Sequence, residues 1–265
     1  MQQNRLKRRD FLKTIGVLGA ASVLPRNIEA PPQEIPVSPS KSSDDLLQEQ
    51  ELKGLGSLEE AYTFFTPPER AFIEAAVARL IPADELGPGA LEAGVAYFID
   101  QQLQGAFGTM AKNYRQGPWG EGAPEQGYQL SLTPQELYHL GIEAINLYCY
   151  GTYNNKTFDQ LSPEQQDEVL KGLEEETITL EEIPAKTFFD MLYANTVEGF
   201  FADPAYGGNR DKIGWKLVGF PGVAAHYVDL IEEYYNKPYQ VEPVSIADVQ
   251  QGKVQLEEHG EPGHM

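Results

Sequence analysis

Residues 66–82 read TPPERAFIEAAVARLIP, a stretch with the marks of a helix at both ends and along one face. Thr66 and Glu69 are spaced so that each can satisfy the other's orphan backbone N–H, and Pro67 falls at the first helical position, where a missing N–H costs nothing. Phe72, Ile73, Ala76, Val77, Leu80 and Ile81 then recur at the spacing that lines one helix face, until Pro82 stops the run. The stretch predicts an amphipathic helix that needs other apolar faces to pack against.

Working outward, the same grammar repeats. Leu91, Val95, Phe98, Ile99 and Leu103 form a second stripe after a Gly87-Pro88-Gly89 turn. Thr133-Pro134-Gln135-Glu136 opens a third helix, with Leu137, Leu140, Ala144, Ile145 and Tyr148 predicted to point inward, and Ser162-Pro163-Glu164-Gln165 opens a fourth. Pro184 begins a fifth through Phe188, Phe189, Leu192 and Thr196, and Pro221 a sixth through Ala224, Tyr227, Leu230, Ile231 and Tyr234. Sustained alternation with period two is absent. The expected fold is mainly α: a single helical domain with long Gly-, Pro- and aromatic-bearing loops, preceded by a signal and a linker. Among those loops, Thr109–Ser131 contains Trp119 and is long enough to suggest a functional or partner-bound role.

The ends are different in kind. Residues 5–24 set a basic head before an apolar run too short to span a bilayer comfortably, the order of an export signal. Arg8-Arg9, followed by Asp10, Phe11, Leu12 and Lys13, resembles the twin-arginine motif, although Lys7 stands where Ser or Thr is usual. That route carries folded cargo, so the expected destination is the periplasmic or lumenal side. Residues 1–30 are assigned to the signal, 31–60 to a flexible linker rich in Pro, Ser, Gln and Glu, 61–240 to the helical domain, and 241–265 to an extended polar tail.

The chain of 265 residues has a formal net charge of −20, and loss of residues 1–30 would remove more basic than acidic groups. Such a surface repels phosphate backbones, so no nucleic acid is expected as a partner. Dinucleotide and nucleotide sites need glycine loops of defined shape, yet Gly54-Leu55-Gly56 and Gly120-Glu121-Gly122 both lack the third glycine, and there is no Walker lysine. The single cysteine, Cys149, excludes covalent haem and iron–sulfur ligation within this chain. It is either a buried thiol or one half of a disulfide to another subunit. Glu136 and His139 match the Glu-x-x-His element of di-iron bundles, but no second copy occurs and Glu136 already has a capping role. The expectation is therefore no cofactor, metal or catalytic residue in this chain.

The stretch 201–222, FADPAYGGNRDKIGWKLVGFPG, is the remaining candidate. Asp203-Pro204 and Gly207-Gly208-Asn209 force turns, Phe201, Tyr206 and Trp215 offer apolar area, and Arg210 offers a planar fork of donors. Aromatics with Arg on a turn scaffold have the composition of an interface hot spot. Asp203, Tyr206, Gly207, Gly208, Asn209, Arg210 and Trp215 are the candidate partner-contacting residues. The competing reading puts the aromatics in the chain's own core, with Trp215 and Phe220 leaning that way and Tyr206, Asn209 and Arg210 leaning outward.

Together, residues 66–100 and 188–222, with their EGFFADP, YGGNRD and GFPG elements, resemble the gluconate 2-dehydrogenase subunit 3 family, the small or gamma subunit of flavin-dependent sugar and sugar-acid dehydrogenases. The resemblance implies a non-catalytic subunit that carries the export signal for a large flavoprotein of the glucose–methanol–choline type and stabilises it. It also implies FAD in that large subunit, a multihaem cytochrome c as a third subunit in some complexes, and association with the membrane through the complex. A different class of reading is a free-standing exported helical protein or enzyme in which Trp119, Trp215 and tyrosines form a sugar pocket.

Overall fold

A computed structural model of the chain describes residues 61–254, apart from 121, 124, 125 and 224–227. The export-signal residues Arg8, Arg9, Phe11, Leu12 and Lys13 lie outside the described residues, as does the linker. The described part is helical, with eight α-helices: α1 (Pro67–Leu80), α2 (Val95–Gln104), α3 (Pro134–Thr152), α4 (Pro163–Glu174), α5 (Ala185–Phe201), α6 (Ile213–Val218), α7 (Val228–Glu233) and α8 (Ile246–Gln250). None of the described helices is long and apolar enough to cross a membrane.

The helix starts form where local chemistry places them. Glu69 accepts from the backbone N–H of Thr66 at 2.9 Å, Glu136 from that of Thr133 at 2.6 Å, and Gln165 from that of Ser162 at 3.1 Å, with Pro at the first helical position each time. α5 runs through the middle and touches each of α1 to α4. Its Phe188 meets Phe72 of α1 and Tyr138 of α3 edge-on, with ring centres 6.2 and 5.6 Å apart, and Phe158 closes the same cluster against Phe72 at 4.7 Å. Tyr138 is fully buried, and its hydroxyl donates to Asn195 Oδ1 of α5 at 2.9 Å, which spares it the cost of an unmade hydrogen bond.

Two polar contacts fix the edges of this bundle. Asp100, fully buried on α2, accepts from the backbone N–H groups of Thr63, Phe64 and Phe65, and so anchors the chain just before α1. Arg79 on α1 grips Asp167 on α4 through two parallel hydrogen bonds of 2.7 and 2.8 Å.

Several expectations are corrected. Leu91 precedes α2 and is exposed instead of joining its buried stripe. α3 buries Tyr138, Gly141, Ile142 and Cys149 along with Leu137 and Ile145, so its inward face is rotated from the predicted one, and Leu140, Ala144 and Tyr148 pack only partly buried at its edge. Pro221 opens no helix: Val223 N–H donates to Val244 O and Val244 N–H to Pro221 O, so the chain there pairs with a later segment through a single bridge at Gly222 and Val244. Part of the predicted sixth stripe lies outside the described residues, and Ile231 on the short α7 is 61% exposed. The polar tail is also not wholly extended, since it folds into α8 behind a Ser245 and Asp248 capping box.

Candidate functional site

The segment after α5 is shaped by its small and polar residues. Asp203 caps a short 3-10 turn, Pro204–Tyr206, with Oδ1 accepting from Ala205 N–H at 2.9 Å. Gly207 ends that turn at φ +93. Gly208 then lies so close to α5 that a Cβ there would sit 2.3 Å from Gly199 O, which excludes any side chain. Asn209 follows at φ +46, a conformation that Asn tolerates better than most residues. It is fully buried, with Nδ2 donating to Ala202 O at 2.8 Å and Oδ1 accepting from Gly214 N–H at 2.7 Å. One side chain thus ties the end of α5 to the start of α6. Asp211 and Lys212 are also left-handed, at φ +56 and +57.

Other bonds fix this loop to the rest of the molecule. Arg210 donates its backbone N–H to Ala93 O at 2.9 Å, and its guanidinium lies against Gly94. Trp215 is 5% exposed, and its indole N–H donates to Phe201 O at 2.8 Å. A segment distant in sequence completes the arrangement. Asp203 Oδ2 accepts from Ile246 N–H at 2.8 Å, and Lys212 Nζ donates to Pro243 O at 2.7 Å and to Asp248 Oδ2 at 2.9 Å. Burial pushes the Asp248 carboxyl up, but hydrogen bonds from Lys212 and Ser245 outweigh it and hold the group well below the usual carboxylate range.

The outer surface of this assembly carries exposed apolar side chains among the charged Arg210, Asp211 and Lys216. Tyr206 is 56% and Val218 55% exposed, and Phe220 is exposed while resting edge-on against Trp215 with ring centres 5.1 Å apart. Beside them, Leu86, Gly87 and Pro88 face Asp211, Ile213, Lys216 and Leu217 across an open cleft of about 390 Å³. Among the described residues, no three His, Cys, Asp or Glu side chains converge as a metal site would require. His139 does not pair with Glu136: its Nδ1 shares a hydrogen bond with Glu69 Oε1, while Glu136 serves Thr133. Burial pushes Glu69 up, but its bonds from Thr66 and His139 prevail and leave it below its ordinary value.

The seven candidate residues therefore divide. Tyr206 and Arg210 lie on the surface, Asp203 and Gly207 shape the turn beneath them, and Gly208, Asn209 and Trp215 are internal. Asn209, which leaned outward in sequence, is buried with both polar side-chain atoms used inside the chain, and Trp215 lies in the core, as the competing reading had it. Phe220 is a correction in the other direction, since it lies outside. Cys149 is fully buried, and that burial pushes its thiol up to about 12, so a bridge to another chain would require the core to open. The sugar pocket built on Trp215 is not available either, since its ring is enclosed and its N–H is occupied. In the Thr109–Ser131 loop, Arg115 lies over Trp119 and Tyr114 is 86% exposed.

Residues of the C-terminal segment were not among the candidates. The pattern Ser245-Ile246-Ala247-Asp248 has the capping-box spacing that marks three other helix starts, and it is the signal that could have found α8. No curated protein and no solved structure matches the chain. The family model for gluconate 2-dehydrogenase subunit 3 matches residues 67–222, from the first residue of α1 to the glycine that meets Val244. The chain thus belongs to the gluconate 2-dehydrogenase subunit 3 family, accessory subunits of a dehydrogenase complex.

Proposed function

We propose that this chain is the non-catalytic subunit that escorts an FAD-containing large subunit, of the glucose–methanol–choline type, through the twin-arginine translocase and then stabilises it on the periplasmic side of the membrane. A multihaem cytochrome c subunit is the expected electron acceptor of such a complex. The observation that carries the reading is the loop after α5: its buried residues Gly208, Asn209 and Trp215 make it rigid, while Tyr206, Val218 and Phe220 remain exposed on it. Large apolar groups held out on a preorganised frame lose little entropy on binding, which is what a lasting protein interface needs. Family membership and the Arg8-Arg9 pattern support the same reading.

The test is to replace Arg8 and Arg9 by Lys and locate the complex's dehydrogenase activity with an artificial electron acceptor. The expected result is activity stranded in the cytoplasm with FAD bound. Normal export of the flavoprotein from that strain would refute the escort role. In a strain with an intact leader, Tyr206→Ser with Phe220→Ser is expected to reduce flavin co-purifying with this chain at least about tenfold, the scale of losing one or two interface anchors.

A further inference from the structure

The family match ends at Gly222, yet the loop it ends on is held by residues that come later. The segment from Pro243 to Gln250 runs along that loop and touches it at its beginning, middle and end. At the beginning, Asp203 accepts from Ile246 N–H. In the middle, Lys212 reaches Pro243 O and Asp248. At the end, Val223 and Val244 exchange backbone bonds with Val244 and Pro221, and Gly222 lies so close that a Cβ would stand 2.0 Å from Val244 O. Val244 and Ser245 are buried by the contact.

The two halves of the loop depend on this segment differently. Asn209 takes its own side-chain partners from Ala202 and Gly214, within the loop and its flanking helices. The Lys212 side chain, by contrast, reaches into the segment 243–248, to Pro243 O and to the Asp248 carboxylate. A left-handed conformation is unfavourable for a residue with a Cβ, and it persists only where the surroundings over-determine it. For Lys212 those surroundings are Asn209, whose carbonyl accepts its backbone N–H at 2.8 Å, and the C-terminal segment, which holds its side chain. The residues that follow, Ile213, Lys216 and Leu217, together with Asp211 before it, form one wall of the cleft, and Val218 and Phe220 stand just beyond.

We infer that residues 243–250 are a strap that positions the partner-facing surface, with Lys212 and Asp248 as its buckle. The inference rests on the reading of that surface as the docking site for the flavoprotein, and it adds that the surface is composite: the family-matched loop supplies the contacting side chains, and the later segment sets where they stand. Lys212 and Asp248 are positioning residues, because both are mostly covered and reach the partner only through the loop.

The experiment uses the full chain with Lys212→Met and, separately, Asp248→Asn. Hydrogen exchange is followed at the amides of Lys212 and Val223 and, as a control, across α1 and α5. Co-elution of flavin absorbance with the tagged chain from native extract is measured in parallel. The expected result is exchange about tenfold faster at Lys212 and Val223, unchanged exchange in the helices, and less flavin recovered. Wild-type exchange at both amides in both variants would overturn the strap. If exchange rises but flavin recovery holds, while Tyr206→Ser with Phe220→Ser lowers it, the strap does not position the docking surface and the proposal fails there. If none of these variants lowers flavin recovery, the docking reading itself falls, while the exchange data still report whether the strap holds the loop.

Discussion

The helical bundle and the loop after α5 are built from the same chain by opposite means. In the bundle, Phe72, Tyr138, Phe158 and Phe188 pack ring against ring, and the polar groups among them are few and paired. Apolar burial is non-directional, so the bundle is cooperative and one lost ring weakens all of it. In the loop, the shape is specified by directed bonds: Asn209 to Ala202 and Gly214, Trp215 to Phe201, Asp203 to Ile246, Lys212 to Pro243 and Asp248. Directed bonds fix geometry where the backbone turns left-handed and little apolar area is available. The contrast is that the bundle supplies stability and the loop supplies form.

The hardest blow to the bundle should be Phe188→Ala. Removing a fully buried aromatic at the meeting point of α1, α3 and α5 is expected to cost about 3–5 kcal/mol and to lower the thermal midpoint of the whole domain. Exchange should accelerate in every helix together. Acceleration confined to α5 would mean that the bundle is not one cooperative unit.

Asn209→Ala is expected to act on the loop alone. It leaves Ala202 O and Gly214 N–H without their partner and puts a less tolerant residue at φ +46, for a cost of about 2–3 kcal/mol in local opening. Asn209→Gly separates the two causes, because it keeps the backbone freedom and loses only the bonds. Exchange at Gly214 should therefore order as wild type, then Gly, then Ala. A matching fall in the global melting temperature would erase the distinction between the two regions.

A helix cap in the bundle should carry less weight than either. Thr133→Ala removes the hydroxyl that accepts from Glu136 N–H at the start of α3, and should cost about 1 kcal/mol, visible as a shift of a few degrees in a thermal melt. The helix persists because its buried face, not its cap, supplies most of its stability.

The same contrast explains what could be read from the sequence. The helix starts at Thr66, Thr133 and Ser162 were legible because a capping box is a local device, complete within four residues. The apolar faces of α1 and α5 were legible because burial follows periodicity. Ile231 misled for the same reason: spacing alone does not say whether another face exists to cover a stripe. In the loop, the turn formers announced that the chain would bend, but not that Asn209 would face inward or Phe220 outward. The bond from Asp203 to Ile246 spans 43 residues and joins a carboxylate to a backbone amide. No residue pattern encodes such a pairing.

Acid should leave the strap unaffected over the ordinary range, and the sign follows from Asp248. Burial pushes its carboxyl up, but the hydrogen bonds from Lys212 and Ser245 outweigh that and hold it well below the usual carboxylate range. A carboxylate depressed on folding contributes stability that is fully present above its unfolded value and is lost only as the pH falls through the folded one. Exchange at Val223, corrected for its intrinsic pH dependence, should therefore be flat from about pH 8 to about pH 5 and begin to rise only below about pH 4. Asp248→Asn should exchange faster at neutral pH and show a smaller onset in acid. Loosening of the wild-type strap between pH 7 and 5 would mean that Asp248 is not the charge that fastens it. The loop would then owe its form to the backbone pairing of Val223 with Val244, and the charged buckle would be incidental.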